Sequence, residues 1–199
     1  MSDVVYTIGH STHSIERFLE LLTENGIEEI CDVRSSPFSK FTPQFNRELL
    51  KFELEAVGLG YVFMGSALGA RSENPACYVA GKVQYDRLAQ EPEYCEAIGQ
   101  LEEKAATKRV ALMCAEKDPI TCHRMILVTR SMADTGLEFG HILEDGSVES
   151  NAAAEARLME VLKIAPDLLR GEEECVVEAY RRQADRVAYV KGVAVSTEP

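Results

Sequence analysis

No apolar run in this 199-residue chain approaches the roughly 20 residues that a membrane-spanning helix needs, so a bilayer segment is not expected. Neither a Gly-x-Gly-x-x-Gly loop nor a Walker sequence occurs, so no motif points to a dinucleotide or ATP site. A phosphatase-type Cys-x5-Arg loop is missing too, because the positions that would need arginine hold Ile120 and Val128. There is no internal repeat. Positive charge is in short supply, with 21 Lys and Arg against 33 Asp and Glu, for a net charge of −12. That balance excludes a protein that coats nucleic acid by bulk electrostatics. A disulfide framework is absent as well, since Cys31, Cys77, Cys95, Cys114, Cys122 and Cys175 are scattered. Met1-Ser2-Asp3 leads straight into a strand-like run with no secretory leader, so the thiols are expected to be reduced, in a cytoplasm.

What is present is ordinary globular composition, 46% hydrophobic and 27% charged, enough for one core. Residues 131–199 hold 14 acidic and 7 basic residues, leaving room for a local cationic pocket earlier, where Arg34, Lys40, Arg71 and Arg124 lie near predicted loop ends. Such a pocket would suit a small anionic or nucleotide-like ligand better than a duplex.

Apolar runs alternate with amphipathic stretches. Strands are predicted over Val4–Ile8, Ile27–Val33, Tyr61–Met64, Val110–Met113 and Phe139–Leu143. Helices are predicted over Ile15–Leu22 with Ser14 as N-cap, Asn46–Val57, Tyr85–Ala106 with a break at Glu91-Pro92, and Cys122–Ala133. Gly65 to Lys82 has no period and reads as a long loop. Strands separated by helices predict an α/β fold, a mainly parallel open sheet in a Rossmann-like three-layer arrangement over residues 1–150. Residues 151–199 predict an acidic C-terminal helical extension, with helices over Ala152–Ile164 and Glu172–Arg186. It could pack on the sheet, extend the domain or form a homodimer contact.

Ligands bind outside the carboxyl ends of the strands in such sheets. Those ends carry His10, then Asp32 and Arg34, then the segment to Arg71, then Cys114 and Glu116 with Cys122-His123-Arg124 just beyond. Cys122 precedes two cations at a predicted helix N-terminus, where dipole and charge lower a thiol pKa; burial as a small apolar residue is the competing reading. His123, Glu116 and His10 supply proton-transfer chemistry. Arg124 opposes the helix dipole, so it calls for an anionic partner, either Glu116, Asp32 or a substrate phosphate. Asp32 and Arg34 flank Val33 and share a strand face, as an ion pair or as substrate contacts.

Two functions follow. One is an enzyme, a hydrolase or transferase on a phosphorylated, nucleotide or nucleic-acid-derived substrate, with Cys122, His123, Glu116 and His10 catalytic and Arg34, Arg124, Asp32 and Arg71 binding. The other is a metal-binding protein using Cys114, Cys122, His123 and His10, with zinc favoured by the donor set although no motif requires a cofactor. Cys-x7-Cys-His is an unfamiliar zinc spacing, and adjacent helical residues point about 100° apart.

Thr7-Ile8-Gly9-His10-Ser11, Asp32-Val33-Arg34 with Pro37, Tyr61 with Leu68-Gly69, and Cys114-x-Glu116 with Cys122-His123-Arg124 together resemble the family called domain of unknown function 488, over roughly residues 4 to 145. The resemblance implies a single cytoplasmic α/β domain with no settled activity. Links to nucleic-acid or modified-base processing are analogy alone.

Overall fold

The computed structural model describes residues 4–192. In chain order the elements are β1 (Val4–Gly9), α1 (Ile15–Glu24), β2 (Glu29–Asp32), α2 (Arg47–Ala56), β3 (Gly60–Phe63), a short α3 (Gly65–Leu68), the ribbon β4 (Tyr78–Val79) and β5 (Lys82–Val83), α4 (Tyr85–Leu88), α5 (Pro92–Ala105), β6 (Val110–Cys114), a π helix (Arg124–Thr129), β7 (Glu138–Ile142), β8 (Val148–Ser150), α6 (Asn151–Leu162) and α7 (Glu172–Val187). Six strands form one sheet in the order β3-β2-β6-β1-β7-β8. The first five run parallel and β8 closes the edge antiparallel to β7.

Local sequence explains most of these elements. Ser14 caps α1 by accepting from the Arg17 amide at 3.2 Å, and Pro92 starts α5 where its missing N–H costs nothing. Every residue of β6, Val-Ala-Leu-Met-Cys, is buried, as a central strand covered on both faces demands. Ile8, Phe18, Leu22, Ile30, Leu50 and Met113 form the core beneath α1 and α2. Val5, Cys31, Val33, Leu101, Leu112, Cys114 and Met125 form the core on the opposite face. Helices therefore cover both sides, and the fold is a three-layer α/β structure.

Three local expectations change. The last strand is not the one at 139–142: after the turn at Gly146 the chain returns as β8, because φ of 93° at a glycine allows a tight reversal. The segment from 65 to 82 holds α3 and the β4–β5 ribbon, elements too short to impose a period. The helix after Cys122 is wound as a π helix over Arg124–Thr129, a form associated with functional sites. Among the described residues, those beyond 150 share the core of the sheet: Ala154, Leu158, Cys175 and Ala179 join the cluster that contains Val5 and Leu112.

Candidate functional site

The pleat decides which polar residues can meet. On β2 and its extension, Cys31 and Val33 face the core of α5 and the π helix, so Asp32 and Arg34 face the other way. There the Asp32 carboxylate receives Arg34 Nε at 2.9 Å, Arg34 Nη2 at 2.7 Å and the Tyr61 hydroxyl at 2.7 Å. Arg34 also donates to the Phe45 carbonyl at 2.9 Å and to His10 Nε2 at 3.2 Å. The His10 ring stacks on Phe45 with centroids 4.3 Å apart and donates from Nδ1 to the Ser11 carbonyl at 2.9 Å. Burial, then the Arg34 charge, push the His10 pKa down to about 4, so it is neutral near pH 7. For Arg34, burial opposes the charge but the Asp32 hydrogen bond and charge outweigh it, and its pKa rises.

On the opposite face Cys114, Glu116, Cys122 and His123 bring one donor atom each within 4.8 Å of all the others. Both thiols lie on Glu116 Oε2, Cys114 at 2.8 Å and Cys122 at 3.0 Å. His123 Nδ1 is 3.5 Å from Cys114 Sγ and 3.9 Å from Cys122 Sγ. Its Nε2 donates to the Val33 carbonyl at 2.9 Å, which turns Nδ1 toward the sulfurs. Cys114, Cys122 and His123 are buried, whereas Glu116 is exposed as a residue although its inner oxygen meets both thiols.

The loop that carries Glu116 is held from beneath. Amides of His10 and Ser11 donate to the carbonyls of Cys114 and Ala115, both at 2.9 Å. A Cβ on Gly9 would lie 1.9 Å from the Glu116 carbonyl oxygen, so only glycine fits there. Arg124, fully buried, donates to the Glu116 carbonyl, to the Lys117 carbonyl at 3.0 Å and to Thr7 Oγ1 at 3.3 Å. Thr7 in turn meets His141 Nδ1 at 2.8 Å, and His141 Nε2 meets Asn151 Oδ1 at 3.2 Å. Since Asn151 Oδ1 can only accept, the neutral His141 ring carries its proton on Nε2, and the Thr7 hydroxyl donates to Nδ1. Burial, then the Arg124 charge, hold His141 down to about 4.

Electrostatics separate the two thiols. Burial, the Cys122 hydrogen bond and charge, and Glu116 keep the Cys114 proton on well above the ordinary thiol range. Burial works against ionising Cys122, yet the Cys114 hydrogen bond, the Arg124 charge and the His123 hydrogen bond bring it down to about 6. The Arg124 amide also reaches Cys122 Sγ at 3.4 Å, so the sulfur caps the helix. Glu116 resists burial through His123 and the thiols and falls to about 2, while His123 rises, its burial offset first by its hydrogen bond to Cys122.

Several sequence expectations need correction. His10 is not in the thiol group: both its nitrogens are occupied and its ring belongs to the Phe45 side of the sheet, so Glu116 takes the place given to His10 among the metal donors. Arg124 pairs with neither carboxylate named for it; it binds main-chain carbonyls instead. Arg71 is exposed, its guanidinium 4.5 Å over the Tyr189 ring. A cleft of about 560 Å³ does exist, but Arg130, Phe139, Glu155 and Tyr180 line it and none of the expected site residues do. Thr7 and Tyr61 stand in the quoted motifs but sequence reasoning gave them no site role, and it missed His141; the Thr7–His141 and Tyr61–Asp32 contacts join residues 134 and 29 positions apart.

Fold and site together define a three-layer α/β protein with a buried Cys/Cys/His cluster and one exposed carboxylate at the carboxyl edge of its sheet. The model of the domain of unknown function DUF488 matches residues 14–131, and the chain belongs to that family. No curated protein and no solved structure matches it.

Proposed function

We propose that this chain is a metal-binding protein whose centre takes zinc through Cys114 Sγ, Cys122 Sγ, His123 Nδ1 and Glu116 Oε2. The observation that carries the reading is the spacing of donors. A tetrahedral zinc with bonds of about 2.3 Å to sulfur and about 2.0 Å to nitrogen separates those atoms by roughly 3.6 Å. The two sulfur-to-imidazole distances are 3.5 and 3.9 Å. The thiol-to-carboxylate distances of 2.8 and 3.0 Å are those of hydrogen bonds, which lengthen once the metal replaces the protons. The unfamiliar spacing in sequence matters little, because the first sulfur comes from a strand end and the second from a helix cap. The Val33 carbonyl and the Arg124 amide supply the outer contacts that such ligands need.

A phosphorylated substrate draws less support, since Arg34 and Arg124 spend their donors on protein acceptors. A second reading, a hydrolase or transferase using Cys122 as nucleophile beside His123 and Glu116, is favoured by the thiol pKa of about 6. Elemental analysis of untagged protein decides: one zinc per chain, lost in Cys114→Ser and His123→Ala but kept in His10→Ala, is the expected result. Affinity should rise with pH, by about tenfold per unit for each proton displaced from Cys114 and His123. A chain that binds no zinc at micromolar concentration, with Cys122 alkylated stoichiometrically, would favour the nucleophile.

A further inference from the structure

The cleft of about 560 Å³ is bounded by the end of the π helix, β7, α6 and α7, and its volume lies within the range of small-ligand sites. Leu137, Phe139 and Val176 give it apolar walls, while its polar groups gather on one buried ring, Tyr180. The Arg130 guanidinium stands 5.1 Å over the face of that ring, and the ring hydroxyl donates to Glu155 Oε1 at 2.9 Å. Asn151 Nδ2 donates to the same oxygen at 2.9 Å, so Glu155 is pinned through Oε1 while its Oε2 meets no donor among the described residues. Arg130 is half-buried and makes no ion pair and no side-chain hydrogen bond among those residues, whereas Arg34, Arg124 and Arg157 spend their donors on protein acceptors. Cation and carboxylate thus touch the same ring, one at its face and the other at its hydroxyl, without pairing with each other. Each is held in place with recognition atoms left over.

We propose that this cleft binds a small zwitterion, a free α-amino acid with an apolar side chain. Arg130 takes its carboxylate, Glu155 Oε2 its ammonium, and Leu137, Phe139 and Val176 its side chain. An anion alone fits poorly, because Glu138, Glu155 and Glu173 outnumber Arg130 in the lining. A cation alone leaves the guanidinium fork without an acceptor. A molecule with both charges close together, lying along the Tyr180 ring, satisfies both groups. The cleft shares no lining residue with the thiol group, so this proposal stands apart from the metal reading.

The test is titration calorimetry on the full-length protein with L-leucine, leucinamide and N-acetyl-leucine. Leucinamide lacks the carboxylate and matches the amino end of a peptide; N-acetyl-leucine lacks the ammonium and matches the carboxyl end. Leucine should saturate one site per chain, and each analogue should bind about tenfold or more weakly, the loss expected for one charge-assisted contact. Arg130→Gln should weaken leucine to the level of leucinamide and leave leucinamide unchanged. Glu155→Gln, whose amide oxygen can still accept from Tyr180 and Asn151, should bring leucine down to N-acetyl-leucine in the same way. If either variant unfolds, the analogues on the parent protein decide alone. No saturation by leucine at about 10 mM, an analogue that binds as tightly as leucine, or inorganic phosphate that binds more tightly would overturn the proposal. So would a folded Arg130→Gln chain with undiminished leucine affinity.

Discussion

Replacing Arg124 with alanine should destabilise the fold rather than weaken an anion site. Three acceptors lose their donor: the carbonyls of Glu116 and Lys117 and the Thr7 hydroxyl. Each buried polar group left unmet costs about 1–3 kcal/mol. Glu116 and Lys117 are exposed residues, so water can recover part of that, and removing a buried cation returns some desolvation energy. A net loss of about 3 kcal/mol remains, which for a chain of this size lowers Tm by about 6–12 °C. Urea denaturation should show an earlier midpoint with an unchanged slope. Arg124→Lys should recover less than half, because one ammonium cannot span two carbonyls and a hydroxyl as a planar fork does. Without the guanidinium charge, His141 should titrate higher and the Cys122 thiol should move back up. The reasoning is refuted if Arg124→Ala costs under about 1 kcal/mol, and still more if that variant loses phosphate binding while melting normally.

Acid should unfold the protein through its buried imidazoles. His10 and His141 have folded pKa values of about 4 against an ordinary 6.5, so the unfolded chain takes up protons first and stability falls as pH drops from about 6.5 to about 4. At about 1.36 kcal/mol per pH unit the cost approaches about 3 kcal/mol for each, readable as a shift in urea midpoint between pH 7.5 and pH 4.5, and a flat profile there rejects the buried neutral rings. Iodoacetamide should modify Cys95, the exposed thiol, before any other. Cys122 should lag despite its lowered pKa because it is 1% exposed, and zinc should slow it further; fast labelling in the zinc-loaded protein counts against ligation. Gly9→Ala should displace the Glu116 loop and reduce zinc occupancy, since its Cβ would sit 1.9 Å from a carbonyl oxygen, and full occupancy in a folded variant would show that the loop can move without cost.

Periodicity and punctuation were legible without coordinates. The alternation of Val4–Ile8, Ile15–Leu22 and Val110–Met113, the cap at Ser14 and the break at Pro92 are local physics, and they give the α/β class and the carboxyl-edge location of the polar residues. The two-residue pleat likewise put Asp32 and Arg34 together on one face. Strand order was not legible, because β1 lies between β6 and β7 through pairings more than a hundred residues apart. Nor could the sequence divide the polar residues between the two faces of the sheet. Only the packed structure sends His10 to Phe45, excludes it from the thiols and admits Glu116 in its place. It also turns Arg124 inward, since a buried guanidinium goes to whichever acceptors the fold leaves unpaired, and those are carbonyls that no motif records.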